Sequence, residues 1–291
     1  LALHAGDWIE IKSKEEILAT LDGKGRREGL PFMPEMLAYC GRRVRIASSA
    51  HKTCGPLQGR YIALQTNDLV YLGLRCDGSA HDGCQNRCQF FWHKDWLRSG
   101  DEEAQSGSPS SSGCTEAELS AATRQPDLNG EKRYSCQALA LKDFTKPLPW
   151  WDVRTYWRSY RTRNHTLKEL ASGIAFIVFC KLVGFYGQRF DARRRYDALQ
   201  SRRGGTPFPR RHGLVPDGQP TPVAYLGLKP GDYVRIKSHE EILKTLSYDG
   251  RNRGMFFDAE FVPFCGRVFR VEAMVERFID EEVGVMRRMK T

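Results

Sequence analysis

The chain has 291 residues, 41% of them hydrophobic and 27% charged, and a formal net charge of +10. These are the proportions of a globular protein with room for two or three domains, and the positive balance suits an anionic partner. No apolar run reaches the ~18 residues of a membrane span; the longest, Ile174 to Cys180, stops at Lys181.

From the N-terminus, Gly6-Asp7 is a turn pair, and Trp8-Ile9-Glu10-Ile11-Lys12 alternates apolar with polar residues, as a half-buried strand does. Ser13 and Glu16 form a capping box that opens a short helix through Ile17 and Leu18. A glycine-bearing loop, a short apolar element from Phe32 to Tyr39 and the strand Arg43-Val44-Arg45-Ile46 follow.

Next comes the stretch His51 to Trp96, which holds Cys54, Cys76, Cys84 and Cys88. Thiolates gathered on glycine-rich turns are what a tetrahedral metal requires, so these four are the expected ligands, with His51 or His81 able to replace one of them. Zinc is the favoured ion and an iron–sulfur cluster the lesser alternative. The intervals Cys76-x7-Cys84 and Cys84-x3-Cys88 are not those of a C-x2-C knuckle, and buried thiols without a metal are the plain alternative.

Residues 99–130 read as a linker rich in serine and glycine, centred on Ser106-Gly107-Ser108-Pro109-Ser110-Ser111-Ser112-Gly113, with Thr115 as cap of a short helix. Residues 131–222 read as a mainly helical middle domain. Arg154, Arg158, Arg161 and Arg163 alternate there with Trp151, Tyr156, Trp157 and Tyr160, a pattern suited to stacking on bases. Thr166 and Glu169 cap a helix from Leu167 to about Tyr186, apolar on every side between Ile174 and Cys180 and so expected to be buried. Arg193, Arg194 and Arg195 begin a run of arginine clusters fit to contact phosphates.

The opening pattern then returns. Gly231-Asp232-Tyr233-Val234-Arg235-Ile236-Lys237-Ser238 repeats the first strand, Glu240-Glu241-Ile242-Leu243 the first helix, and Phe264-Cys265-Gly266-Arg267 repeats Tyr39 to Arg42. About half of roughly forty aligned positions are identical, so one unit has been duplicated. The second copy, residues 223–291, stops where the first enters its cysteine stretch, and a truncated repeat is expected. Cys40 and Cys265 hold equivalent positions and are expected to pack in the interior of each unit.

The Gly-Asp-x-Val-x-Val-Lys-Ser type of opening resembles the first strand of SH3-like barrels of the KOW type. The whole arrangement resembles a family of poorly characterised bacterial proteins with two cysteine-rich units around a Trp-rich middle, often encoded beside natural-product biosynthesis genes. The resemblance implies an α+β fold in which two small SH3-like β-barrel units, the first being residues 1–98, flank a helical middle domain. It also raises Cys114 and Cys136, in Cys-Thr-Glu and Tyr-x-Cys-Gln contexts, to a second thiol pair: a further metal site, or a nucleophile in Cys136.

No Walker loop, GxGxxG, HExxH or GxSxG is present. The expectation is a zinc-stabilised binding protein that engages nucleic acid or an acidic protein through Arg154, Trp157, Arg158 and Arg193–Arg195. With no signal peptide visible, a reducing cytoplasm is the expected compartment. The alternative is a metal- or thiol-dependent tailoring enzyme of natural-product biosynthesis.

Overall fold

A computed structural model describes residues 3–55, 61–99, 113–149, 151–190, 192–209 and 211–289. It divides into two compact units, one of residues 1–172 and 275–291, the other of residues 173–274.

The first unit is built from small antiparallel sheets. Trp8–Ile11 lies between Arg43–Arg45 and Leu97–Ser99; Leu69–Arg75 between Ser48–Ala50 and Gln89–His93; Tyr61–Leu64 between Lys52–Cys54 and Thr145–Pro147. Alternation along the first strand turns Ile9 and Ile11 inward. The capping box of Ser13 and Glu16 starts the helix Lys14–Ala19, which buries Ile17 on the same core. Trp92 and Trp96 meet Phe32 edge-on, with ring centroids 6.2 and 5.0 Å away. Beneath them pack Leu30, Met36 and Phe144, all almost without solvent contact.

The duplication is preserved down to hydrogen-bond register. Trp8, Ile9 and Glu10 face Arg45, Val44 and Arg43; Tyr233, Val234 and Arg235 face Arg270, Phe269 and Val268. Ser238 and Glu241 repeat the capping box. The tight hairpins at Glu28-Gly29 and Arg253-Gly254 both place a non-glycine residue at φ 50° before a glycine with positive φ, the pair of values a type I′ turn demands. The correspondence continues where sequence identity has faded. Lys52–Cys54 pairs with Tyr61–Leu64 in the register in which Arg277–Ile279 pairs with Met286–Arg288.

The expected α+β arrangement of two closed barrels around a helical domain does not hold. The sheets have two or three strands each, and among the described residues no ladder closes on itself, whereas a barrel needs one continuous ladder around its axis. Residues 131–222 do not form a helical domain either. They begin with the strand Glu131–Tyr134, and the boundary between the compact units falls within the helix Leu167–Phe190. Only this helix, Val153–Arg161 and Ala192–Arg202 reach seven residues among those described. The burial expected of the long helix is also absent, since Ile174, Ile177 and Val178 are exposed. Of the linker, residues 100–112 lie outside the described residues; Thr115 caps the helix Glu116–Ala121.

In the second unit, Phe176, Phe179, Tyr196 and Phe208 form an aromatic cluster with centroids 5.2–6.2 Å apart. Leu243, Leu246 and Val262 are buried.

Candidate metal centre

Cys76 follows the strand Leu69–Arg75, and the chain returns to that strand's neighbour, Gln89–His93, through a loop that ends at Cys88. The Cys76 N–H donates to the Cys88 carbonyl (2.9 Å) and closes the loop at its base. Inside, Asp77 accepts from the Ser79 N–H (2.9 Å) in an Asx turn. The Gly78 carbonyl accepts from the N–H groups of His81 (2.9 Å) and Gly83 (3.0 Å). Gly78 has φ +78°, and a Cβ there would lie 2.1 Å from the Cys84 carbonyl oxygen, so the loop can be this tight only with glycine.

The loop sets Cys76 and His81 against Glu35, which comes from the 3-10 helix Pro34–Tyr39. One oxygen, Glu35 Oε1, receives His81 Nδ1–H (2.7 Å), the Ala80 N–H (3.2 Å) and the Cys76 S–H (3.4 Å). His81 Nε2–H donates to the Ser135 carbonyl (3.0 Å). Ligand atoms of Glu35, Cys76 and His81 lie within 4.8 Å of one another, the one such group among the described residues. Glu35 Oε2 is buried without a hydrogen-bond partner there.

Burial opposes charge on both members of the pair, but mutual attraction outweighs it. The Glu35 carboxyl is held below its ordinary range and the His81 imidazole above its own. Because a carbonyl and a carboxylate can only accept, the ring donates from both nitrogens and is an imidazolium. Sulfur and carboxylate oxygen are donors zinc takes, as is an imidazole that has given up a proton.

Beside this group is a cavity of about 30 Å³ whose lining includes Cys76, His81, Cys84, Cys88 and Cys136. It has room for an ion or a water molecule and none for an organic substrate, which needs roughly 300 Å³ or more. Burial pushes the Cys88 thiol up to about 12, and raises Cys76 and Cys136 as well.

Three of the four expected thiol ligands, Cys76, Cys84 and Cys88, therefore meet at one cavity, together with His81. Cys54 does not join them. It is exposed at the end of Lys52–Cys54, facing Tyr61. His51 is a core residue whose Nε2 lies 3.0 Å from Ser159 Oγ; burial and the neighbouring Lys52 and Arg158 push it down to about 4. Cys114 and Cys136 do not pair: Cys114 packs in the main core near Gly25, whereas Cys136 completes the cavity wall. A buried thiol raised in this way is the reverse of an activated nucleophile. Among the described residues no two cysteines form a disulfide.

Sequence reasoning missed Glu35. Its signal is a lone carboxylate inside the apolar run Phe32 to Tyr39, since a charge that must be buried calls for a buried partner.

Arg154 and Trp157 stand exposed on the helix Val153–Arg161, while Arg158 is half-buried beside His51. Arg194 and Arg195 are exposed on Ala192–Arg202; the Arg193 side chain lies outside those described.

No protein-family model, curated protein or solved structure matches the chain.

Proposed function

We propose that the chain is a metal-stapled binding protein in which zinc fixes the Cys76–Cys88 loop and an aromatic, basic surface engages nucleic acid. The observation that carries the reading is a cavity of ionic size lined by Cys76, Cys84, Cys88 and Cys136, beside the buried Glu35 and His81. Donor chemistry and burial suit a closed structural site better than a catalytic one, which keeps a position open to substrate.

The binding half rests on the helix Val153–Arg161 and the residues before it. Trp151, Trp157 and Tyr160 remain 65%, 61% and 39% exposed, with Arg154 and Arg161 exposed between them. Large rings left in water beside guanidinium groups suit stacking on unpaired bases, with phosphate attraction supplying a salt-dependent share of the affinity. Among the described residues the cysteines form no disulfide, which suits a reducing compartment such as the cytoplasm. Among the described residues no helix is long and apolar enough to cross a membrane.

The test is elemental analysis of protein purified without added metal, followed by binding of fluorescent single-stranded DNA and RNA across a salt series. Stoichiometric zinc and retention that weakens with salt are expected. Absence of bound metal overturns the staple; absence of binding at low salt overturns the nucleic-acid surface, and retention of an acidic peptide instead would transfer that surface to a protein partner.

A further inference from the structure

The donors a metal would take at this centre follow from what each side chain is already doing. His81 has both ring nitrogens engaged, one by Glu35 and one by Ser135. Ligation by His81 would break one of these two hydrogen bonds and leave a buried acceptor without its donor.

The thiols carry no such commitment. Cys76, Cys84, Cys88 and Cys136 share the lining of one cavity. Backbone amides point at two of the four sulfurs. Gly78 N–H donates to Cys76 Sγ (3.3 Å) and Ile279 N–H to Cys84 Sγ (3.4 Å). Amide hydrogens aimed at sulfur stabilise the thiolate over the thiol, the form a metal binds.

Cys88 lines the same cavity, and its carbonyl accepts from the Cys76 N–H (2.9 Å), which ties it to the first of the four at the base of the loop.

We propose that one zinc ion is held in this cavity by the thiolates of Cys76, Cys84, Cys88 and Cys136, with the Glu35–His81 pair outside the coordination sphere. The inference rests on the metal-staple reading and deepens it by naming the ligands. Binding exchanges the four thiol protons for four zinc–sulfur bonds and releases the protons to solvent, with no change of oxidation state. The only described donors already within 4.8 Å as a group are those of Glu35, Cys76 and His81, so the sulfurs line the cavity at wider spacing and ligation draws them in. The ion would then join three segments that are remote in sequence: the loop 76–88, the stretch after Glu131–Tyr134, and the hairpin of Arg277–Ile279, whose amide meets Cys84.

The deciding experiment is zinc K-edge X-ray absorption on the purified full chain, with cobalt(II) exchanged into the same site. A shell of sulfur alone at about 2.3 Å is expected. So is a cobalt spectrum with tetrahedral d–d bands and strong thiolate charge transfer, weakened by about a quarter in Cys136→Ser because one of four thiolates is gone. Cys54→Ser and Cys114→Ser should leave both spectra unchanged, and Glu35→Gln should keep the all-sulfur shell. Bound zinc with nitrogen or oxygen in its shell would overturn this ligand set and leave the staple standing. A chain that binds no metal would overturn both. Because the wild-type absorption spectrum decides the ligand atoms, a Cys136→Ser variant that fails to fold does not remove the test.

Discussion

His81 Nδ1 stands 2.7 Å from Glu35 Oε1, and each side chain is 2% exposed. Two opposite charges so far from water are stable only together. Removing one leaves the other without compensation, which costs about 3–5 kcal/mol for a buried pair. Glu35→Gln and His81→Gln should each lower the unfolding free energy by an amount in that region. The double variant should lose clearly less than the sum, because the second substitution no longer strands a charge. Urea unfolding of the four proteins closes the cycle; additive losses would show that the two groups do not act as a pair.

His51 carries the opposite sign of pH dependence. Burial, with Lys52 and Arg158 close by, brings it down to about 4 from an ordinary 6.5. The folded chain therefore keeps His51 neutral while the unfolded chain takes up a proton. Its contribution is complete above about pH 6.5, declines as pH falls, and is exhausted below about pH 4, a loss on the order of 3 kcal/mol. His51→Gln should flatten that part of the stability curve. Curves for the two proteins that remain parallel from pH 7 to 4 would contradict the assignment.

Some of this architecture was legible in the sequence, for physical reasons that can be named. Capping boxes are local, so Ser13 with Glu16 and Ser238 with Glu241 could be read directly. The three loop thiols could be grouped because one short loop must bring its own ends together. Partners remote in the chain could not. Cys136 reaches the cavity because the Tyr134 and Ser135 N–H groups bond to Gly284 and Thr123, pairings that no local pattern encodes. Cys54 looked like a ligand by proximity to the other cysteines. Strand alternation sends residues 51 and 54 to opposite faces, and the structure buries His51 and exposes Cys54. The barrels failed for a related reason: a period of two marks a half-buried strand without saying which edge it will meet.

Gly78 and Gly73 separate backbone conformation from contact. Both have positive φ, +78° and +74°. An added Cβ at Gly73 meets nothing within 4 Å, whereas at Gly78 it falls 2.1 Å from the Cys84 carbonyl oxygen. Gly73→Ala should cost only the left-handed conformation, about 1–2 kcal/mol. Gly78→Ala must in addition force the loop open and should cost clearly more. It should also raise the reactivity of Cys76 and Cys88 toward a thiol reagent in the folded protein. Equal losses for the two variants would mean that the loop is not packed as tightly as its geometry indicates.

The surface of Val153–Arg161 allows binding to be separated from stability. Trp157 is 61% exposed, and its ring meets Tyr160 at a centroid distance of 5.7 Å. Arg154 is exposed on the same helix, whereas Ser159 is buried against His51. Side chains that water already reaches contribute little to folding, so Trp157→Ala and Arg154→Ala should change the unfolding free energy by no more than about 0.5 kcal/mol. Ser159→Ala, which removes the hydroxyl 3.0 Å from His51, should cost about 1–2 kcal/mol. If the helix stacks on bases, Trp157→Ala should weaken single-strand binding by about 1–3 kcal/mol, while Arg154→Ala should lower the slope of affinity against salt by roughly one phosphate contact. Fluorescence polarisation at several salt concentrations distinguishes the two effects. Affinity left unchanged by both substitutions, in proteins of undiminished stability, would remove this helix from the binding surface.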